Sequence, residues 1–220
     1  MRVRTRVPLD IDAMARGGRV STGLLAWHRR SMVFVASRPE YWTRTGGHTS
    51  IDIIGVGGGR EAGETLVEAV TREALEEASS RIRLVGAGAT LVSWEDGRLE
   101  SVLSAGDDPL PILVWQRVIT MKRAHAVSSV PYACAVYEAL LIDEPRPPEG
   151  ETGLFWVGEE LFRSLLSRPL PLADFIGNGG RYRGASLLPP DAVLGLSGSA
   201  RYLAQYWDLL ERGDRESTQS

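Results

Sequence analysis

Cysteine occurs once in the 220 residues, at Cys134, so no internal disulfide can close and a cysteine-based zinc site is excluded. Lysine is equally scarce. Lys122 stands alone against twenty-four arginines, and without a Gly-Lys-Ser/Thr triplet the chain carries no P-loop. The three histidines, His28, His48 and His125, lack the short spacing of a histidine-bound metal and are expected in turns or at the surface. No apolar run approaches the roughly eighteen residues that cross a bilayer. The basic start is followed by Pro8 and Asp10, not by the apolar stretch of a signal peptide. Twenty-five basic residues against twenty-eight acidic leave a net charge of -3, too little positive field to hold nucleic acid or an anionic membrane. A folded cytoplasmic protein with neither partner is therefore expected, and 43% hydrophobic residues supply it with a core.

Residues 1–19, with five arginines and little periodicity, are expected to form an irregular N-terminal arm. A single domain is expected over 20–212, ending in a helix near 190–211, with a polar tail over 213–220. Apolar runs at 20–27 and 32–37, split by His28-Arg-Arg-Ser31, predict two strands joined by a tight turn. Further strands are expected at 50–56, 82–94, 111–121, 130–142 and 154–157, with a helix over 159–166. Cys134, in an apolar run, is expected to be a small core residue. Trp42, beside Arg44 in a polar stretch, is a candidate for stacking on a base. Glycine pairs at 55–57 and 86–88 lack the third glycine of a dinucleotide fingerprint, since Arg60 and Leu91 stand in its place. Gly195-Leu-Ser-Gly198 lacks half of a nucleophile elbow, which leaves Ser197 as a helix cap.

The clearest helix covers 64–78, free of Gly and Pro and rich in Glu, Ala, Leu and Arg. On a helical wheel Arg72, Glu73, Glu76 and Glu77 share one sector, while Val67, Val70, Thr71, Ala74, Leu75 and Ala78 fill the other side. Glu73 and Glu77 are i,i+4 neighbours with Glu76 beside both, so the like charges repel. Arg72 alone does not neutralise three carboxylates, and hard oxygen ligands of this kind suit Mg²⁺ or Mn²⁺. Taken alone, such a face is more often a solvated surface of charge.

Upstream spacing decides between them. Gly58, Glu64, Arg72, Glu73, Glu76 and Glu77 reproduce Gly-x5-Glu-x7-Arg-Glu-U-x-Glu-Glu-x-Gly-U, with U aliphatic, and at background frequencies six such matches arise by chance roughly once in 10⁵ chains of this length. In this the chain resembles the Nudix hydrolase superfamily. Ser79 and Ser80 depart from the final Gly-U, which bears on the helix exit more than on the chemistry. The resemblance implies an α/β fold, an α/β/α sandwich around a mixed β-sheet, and a diphosphate site served by Mg²⁺ or Mn²⁺. It implies Glu73 and Glu77 as metal ligands, Glu76 as a further ligand or water-mediated contact, and the carbonyl of Gly57 as another. Arg72 resembles the arginine that orients the glutamates, and Glu64 a carboxylate that pairs within the motif. A general base is expected from Glu151 or Glu149, in the loop before Leu154, or from Glu73. The implied substrate is a small nucleoside diphosphate derivative: a nucleotide sugar, an ADP-ribose-like compound or a nucleoside triphosphate. A homodimer is also implied. The alternative is a ligand sensor or interaction module on the same fold without turnover.

Overall fold

The computed structural model describes residues 4–6, 9–103, 109–123, 126–148, 153–184 and 187–210. In chain order the elements are β1 (Arg4–Arg6), α1 (Ile11–Ala15), β2 (Arg19–His28), β3 (Ser31–Ala36), β4 (Thr43–Thr45), β5 (His48–Gly55), α2 (Leu66–Ala78), β6 (Ile82–Val85) and β7 (Thr90–Ser93). There follow β8 (Leu99–Leu103), β9 (Leu113–Arg123), β10 (Ala126–Leu141), β11 (Leu154–Val157), α3 (Glu159–Ser167), β12 (Leu170–Pro171), α4 (Leu172–Gly177), β13 (Arg181–Arg183), β14 (Ala192–Ser197) and α5 (Gly198–Gln205). The main path across the sheet is β1-β8-β7-β9-β10-β2-β3-β5-β14-β12. It is mixed: β2 runs parallel to β10 and β5 parallel to β14, whereas β2–β3, β3–β5 and β9–β10 are antiparallel.

Both faces of the central strands are buried, which is why β2 and β3 read as near-continuous apolar runs. Along β3, Met32, Phe34 and Ala36 enter one core with Phe162, Leu165, Phe175, Ala200 and Leu203 from α3, α4 and α5. Val33 and Val35 point the other way and pack with Ile11, Met14, Val70, Ala74 and Ala78 from α1 and α2. Helices thus cover both faces, giving the expected α/β/α sandwich. The first core is aromatic, with Phe34 stacked on Phe162 at 5.4 Å and Phe155 edge-on to Phe175 at 5.5 Å. Each fully buried phenylalanine contributes about 1.5–3 kcal/mol of transfer free energy. Cys134 belongs to this core, and burial pushes its thiol up to about 12, so it stays a neutral packing group.

Several expectations are corrected. The described residues of 1–19 do not form an irregular arm. Asp10 caps α1 by accepting the Ala13 N–H at 2.9 Å, and Ile11, Met14 and Ala15 are buried at i, i+3 and i+4 spacing, while β1 pairs with β8. Ile11, Met14 and Ala15 thus pack into a core ahead of residue 20. The expected helix near 190–211 is two elements: Ala192–Ser197 is a strand beside β5, and the helix begins at Gly198. Ala-Val-Leu-Gly-Leu-Ser is apolar enough for either form, and pairing with β5 selects the strand. The strand expected over 82–94 is broken at Gly86–Gly88 into β6 and β7, and β8 and α4 went unread. His28 is buried rather than superficial, 8% exposed, with Nε2 3.4 Å from Glu144. His125 and the tail over 213–220 lie outside the described residues.

Two fastenings at the ends of elements carry predictions. α2 ends where Ser79 adopts a left-handed conformation with φ 49°, its N–H reaching the carbonyls of Ala74 and Leu75. This is the position at which the motif has glycine, and a serine there holds a conformation that costs a non-glycine residue about 1–2 kcal/mol. Ser79→Gly is expected to raise unfolding stability by about 0.5–1 kcal/mol, after the extra freedom of glycine in the unfolded chain is subtracted. Urea unfolding measures it, and a loss of stability would contradict the strain. Beyond the helix, Ser80 is fully buried and donates to the carbonyls of Arg81 and Asp143 at 2.9 and 3.2 Å. Arg81 in turn donates from its guanidinium to both Asp143 oxygens at 2.8 and 3.0 Å, which holds the Asp143 carboxyl down at about 2. A depressed carboxylate stabilises the fold above its ordinary pKa, roughly 4, and loses that contribution as pH falls toward 2. Asp143→Asn is therefore expected to flatten the fall of Tm between pH 4 and pH 2, and a melting series across that range tests it.

Candidate active site

The loop after β5 and the helix that follows it are built together. Val56, Gly58 and Arg60 pair with the first half of β2: Leu24 N–H donates to Val56 O at 2.8 Å, Thr22 N–H to Gly58 O at 2.9 Å, and Arg60 N–H to Val20 O at 3.1 Å. The loop is thus held like an added strand. Gly57, at φ +145°, passes so close to β2 that a Cβ there would lie 2.3 Å from the Thr22 carbonyl oxygen. Only glycine fits that approach. Farther along, Arg60 forms a two-pronged pair with Asp12 on α1, one contact being 3.0 Å, and thereby ties the loop to α1. No spacing rule links positions 12 and 60, so this brace was not legible in the sequence.

Thr65 then starts α2 with a capping box. Its hydroxyl accepts the Glu68 N–H at 3.2 Å, and the Glu68 carboxylate accepts the Thr65 N–H at 2.8 Å. The buried side of α2 is Ala69, Val70, Glu73, Ala74 and Ala78. Leu75, expected on the packed side, is 49% exposed, whereas Glu73 is only 8% exposed. The packed face is therefore rotated toward the glutamates, and one of them lies at its margin.

Arg72 gathers the cluster. Its guanidinium donates to both oxygens of Glu64 at 2.8 and 3.1 Å, to Glu73 Oε1 at 2.8 Å, to Glu76 Oε2 at 2.9 Å and to the carbonyl of Gly59 at 3.0 Å. Surrounded by carboxylates, it holds its proton more tightly than a free arginine. Glu64 is held below the usual carboxylate range by Arg72 and then by the Glu61 N–H at 2.8 Å. Burial pushes Glu73 up, against the pull of Arg72. Glu77 faces the loop and accepts the Gly57 N–H at 2.7 Å. The structure thus brings Gly57, Glu64, Arg72, Glu73, Glu76 and Glu77 into one cluster. Glu149 and Glu151 lie outside the described residues.

Four carboxylates, Glu64, Glu73, Glu76 and Glu77, crowd one side of α2 and its loop around the single guanidinium of Arg72. Glu73 lies flush with the loop, so that a Cβ on Gly58 would fall 2.3 Å from its Oε1. Hard oxygen donors set against glycine backbone in this way fit a divalent cation of the Mg²⁺ or Mn²⁺ type. Among the described residues, no three acidic, histidine or cysteine side chains converge on a single point, since Arg72 and the Gly57 N–H take up the carboxylate oxygens instead. Trp42 is accounted for by structure: its indole N–H donates to the Ser37 carbonyl at 2.7 Å and its ring packs on the core. Ser197 occupies the N-cap of α5 without capping it through its side chain, which hydrogen-bonds Asp52 instead.

No protein-family profile and no curated protein sequence matches the chain. Among solved structures, a hydrolase of the Nudix family from Clostridium perfringens is 16% identical over 66% of this chain and 84% of its own, with a TM-score of 0.41. A MutT protein from Methanosarcina mazei is 13% identical over 90% of this chain and 94% of its own, with a TM-score of 0.41. An Ap4A hydrolase from C. elegans is 14% identical over 73% and 90%, with a TM-score of 0.38. Likeness this distant does not decide function, which has to be read from residues 57–79 themselves. Among the described residues no helix is long and apolar enough to cross a membrane.

Proposed function

We propose that the chain is a Nudix-type hydrolase that cleaves the diphosphate of a nucleoside diphosphate linked to another moiety, using Mg²⁺ or Mn²⁺. One observation carries this: a single guanidinium collects Glu64, Glu73 and Glu76 while Glu77 is pinned to the Gly57 N–H, at the spacing of the Nudix motif. A purely decorative acidic face has no need of a buried glutamate, nor of a glycine loop shaped to meet it.

Glu73, Glu76 and Glu77, with the carbonyl of Gly57, would hold the cation. When bound, it neutralises diphosphate charge and lowers the pKa of an attacking water. The protein contributes position. Glu64 fixes Arg72, Arg72 fixes Glu73 and Glu76, and the loop backbone fixes Glu77, so each glutamate is held beside the loop and a cation would have only to draw their oxygens together. A proton must leave the attacking water. Glu73, whose burial favours its protonated form, is one acceptor for it, and Glu151 or Glu149 is the other.

The test is release of nucleotide or phosphate from a panel of nucleotide sugars, ADP-ribose and nucleoside triphosphates, with Mg²⁺, with Mn²⁺ and with chelator. Metal-dependent turnover of one member names the substrate class. Binding of a panel member without turnover of any, metal present, would replace the hydrolase with the sensor or interaction module.

A further inference from the structure

Away from the glutamate cluster, a cleft of about 1010 Å³ lies between the end of α3 and α5, where β12 covers only the first part of β14. None of the residues lining it belongs to the cluster at 57–77. Its size is at the upper end of small-ligand sites, roughly 300–1,000 Å³. The charges around it are unevenly matched. Arg163 on α3 takes Glu159 at 3.3 Å and Asp208 at 3.0 Å. Arg168 and Arg201, both lining the cleft, form no ion pair among the described residues. Trp207 lines it as well, and its indole N–H is buried without an acceptor among the described residues. Asp52, hydrogen-bonded to Ser197, adds an acceptor to the wall, and Leu165 adds an apolar surface.

We propose that this cleft binds a phosphomonoester on a hydroxylated carbon skeleton, with Arg168 and Arg201 taking the phosphate, Asp52 accepting from its hydroxyls and Trp207 forming part of the wall beside it. Two arginines match a phosphomonoester, which carries about -1.5 to -2 at neutral pH, better than they match a monocarboxylate. Guanidinium forks suit phosphate oxygens in pairs. This site stands independently of the hydrolase reading, because it uses no residue of the glutamate cluster.

The experiment is a titration of the full chain with ribose 5-phosphate and with AMP, in chelator so that no cation serves the glutamate cluster, followed by ¹H–¹⁵N spectra of the six tryptophan indoles. The Trp207→Phe spectrum assigns its resonance. A shift of that resonance with a Kd of about 1 mM or tighter is expected, weakened at least about tenfold in Arg168→Ala/Arg201→Ala and unaltered in Glu77→Gln. Both arginines are exposed, so the double variant should keep its fold. Equal binding of the two probes assigns the site to sugar phosphates, and tighter binding of AMP assigns it to nucleoside monophosphates. No shift at Trp207 with either probe overturns the proposal. So does binding that Glu77→Gln abolishes and the double arginine variant retains, since the ligand then sits on the glutamate cluster.

Discussion

Glu77→Gln is expected to lower metal-dependent turnover by at least about 10²–10³-fold, the loss typical when one preorganised electrostatic contact to a reacting group is removed. The substitution isolates charge from shape. Glutamine keeps an oxygen that can accept the Gly57 N–H, now at 2.7 Å from Glu77 Oε2, so the loop stays tied to α2 while one negative charge leaves the cluster. Melting temperature should therefore move little. Glu68→Gln is the matching control: that carboxylate lies on the same helix, but it serves the capping box and takes no part in the Arg72 network. Turnover in Glu68→Gln should stay near that of the native chain. Equal losses in both variants would mean that helix stability, not cation binding, limits the reaction, and undiminished turnover in Glu77→Gln would remove the glutamates from the mechanism.

The cluster was legible because its chemistry is local. Arg72 reaches Glu76 within one helical turn, and Glu64 sits just before the helix, so spacing along the chain stands in for proximity. The strand pair β2–β3 was legible for a similar reason, since the turn at Arg29–Arg30 joins neighbours. What escaped depends on partners far away in the chain. Asp12 and Arg60 meet across 48 positions, and β14 is a strand because β5 lies beside it. α1 is short, and the five arginines of its surroundings hid three apolar residues that become a helix face only against the sheet. Burial of Glu73 follows from the same limit. A wheel drawn from composition puts a glutamate with the exposed residues, whereas packing rotates the helix so that Ala69, Val70 and Ala74 face inward and carry Glu73 to the boundary.

Adjacent glycines in the loop should separate stability from catalysis. Gly57→Ala would place a Cβ 2.3 Å from the Thr22 carbonyl oxygen and 2.7 Å from the Gly23 Cα, at a φ of +145°. Those obstacles are backbone atoms of a central strand and do not yield. A cost of about 1–3 kcal/mol is expected. For a chain of this size that lowers Tm by roughly 2–4 °C per kcal/mol. Gly58→Ala meets a different obstacle, the Glu73 carboxylate, with its Oε1 2.3 Å and its Oε2 2.6 Å away. A carboxylate at the end of a flexible side chain can move aside, so the fold should survive with little change in Tm. Its displacement falls on the site instead. A shift of about 1 Å in a positioned group is enough for a loss near 10²-fold. Differential scanning calorimetry and initial rates on both variants make the comparison. If Gly58→Ala melts early and Gly57→Ala does not, the loop is held by Glu73 and not by β2. A Gly58→Ala variant with native turnover would mean that Glu73 does not need its present place against the loop, and the burden of holding the cation would then rest on Glu76 and Glu77.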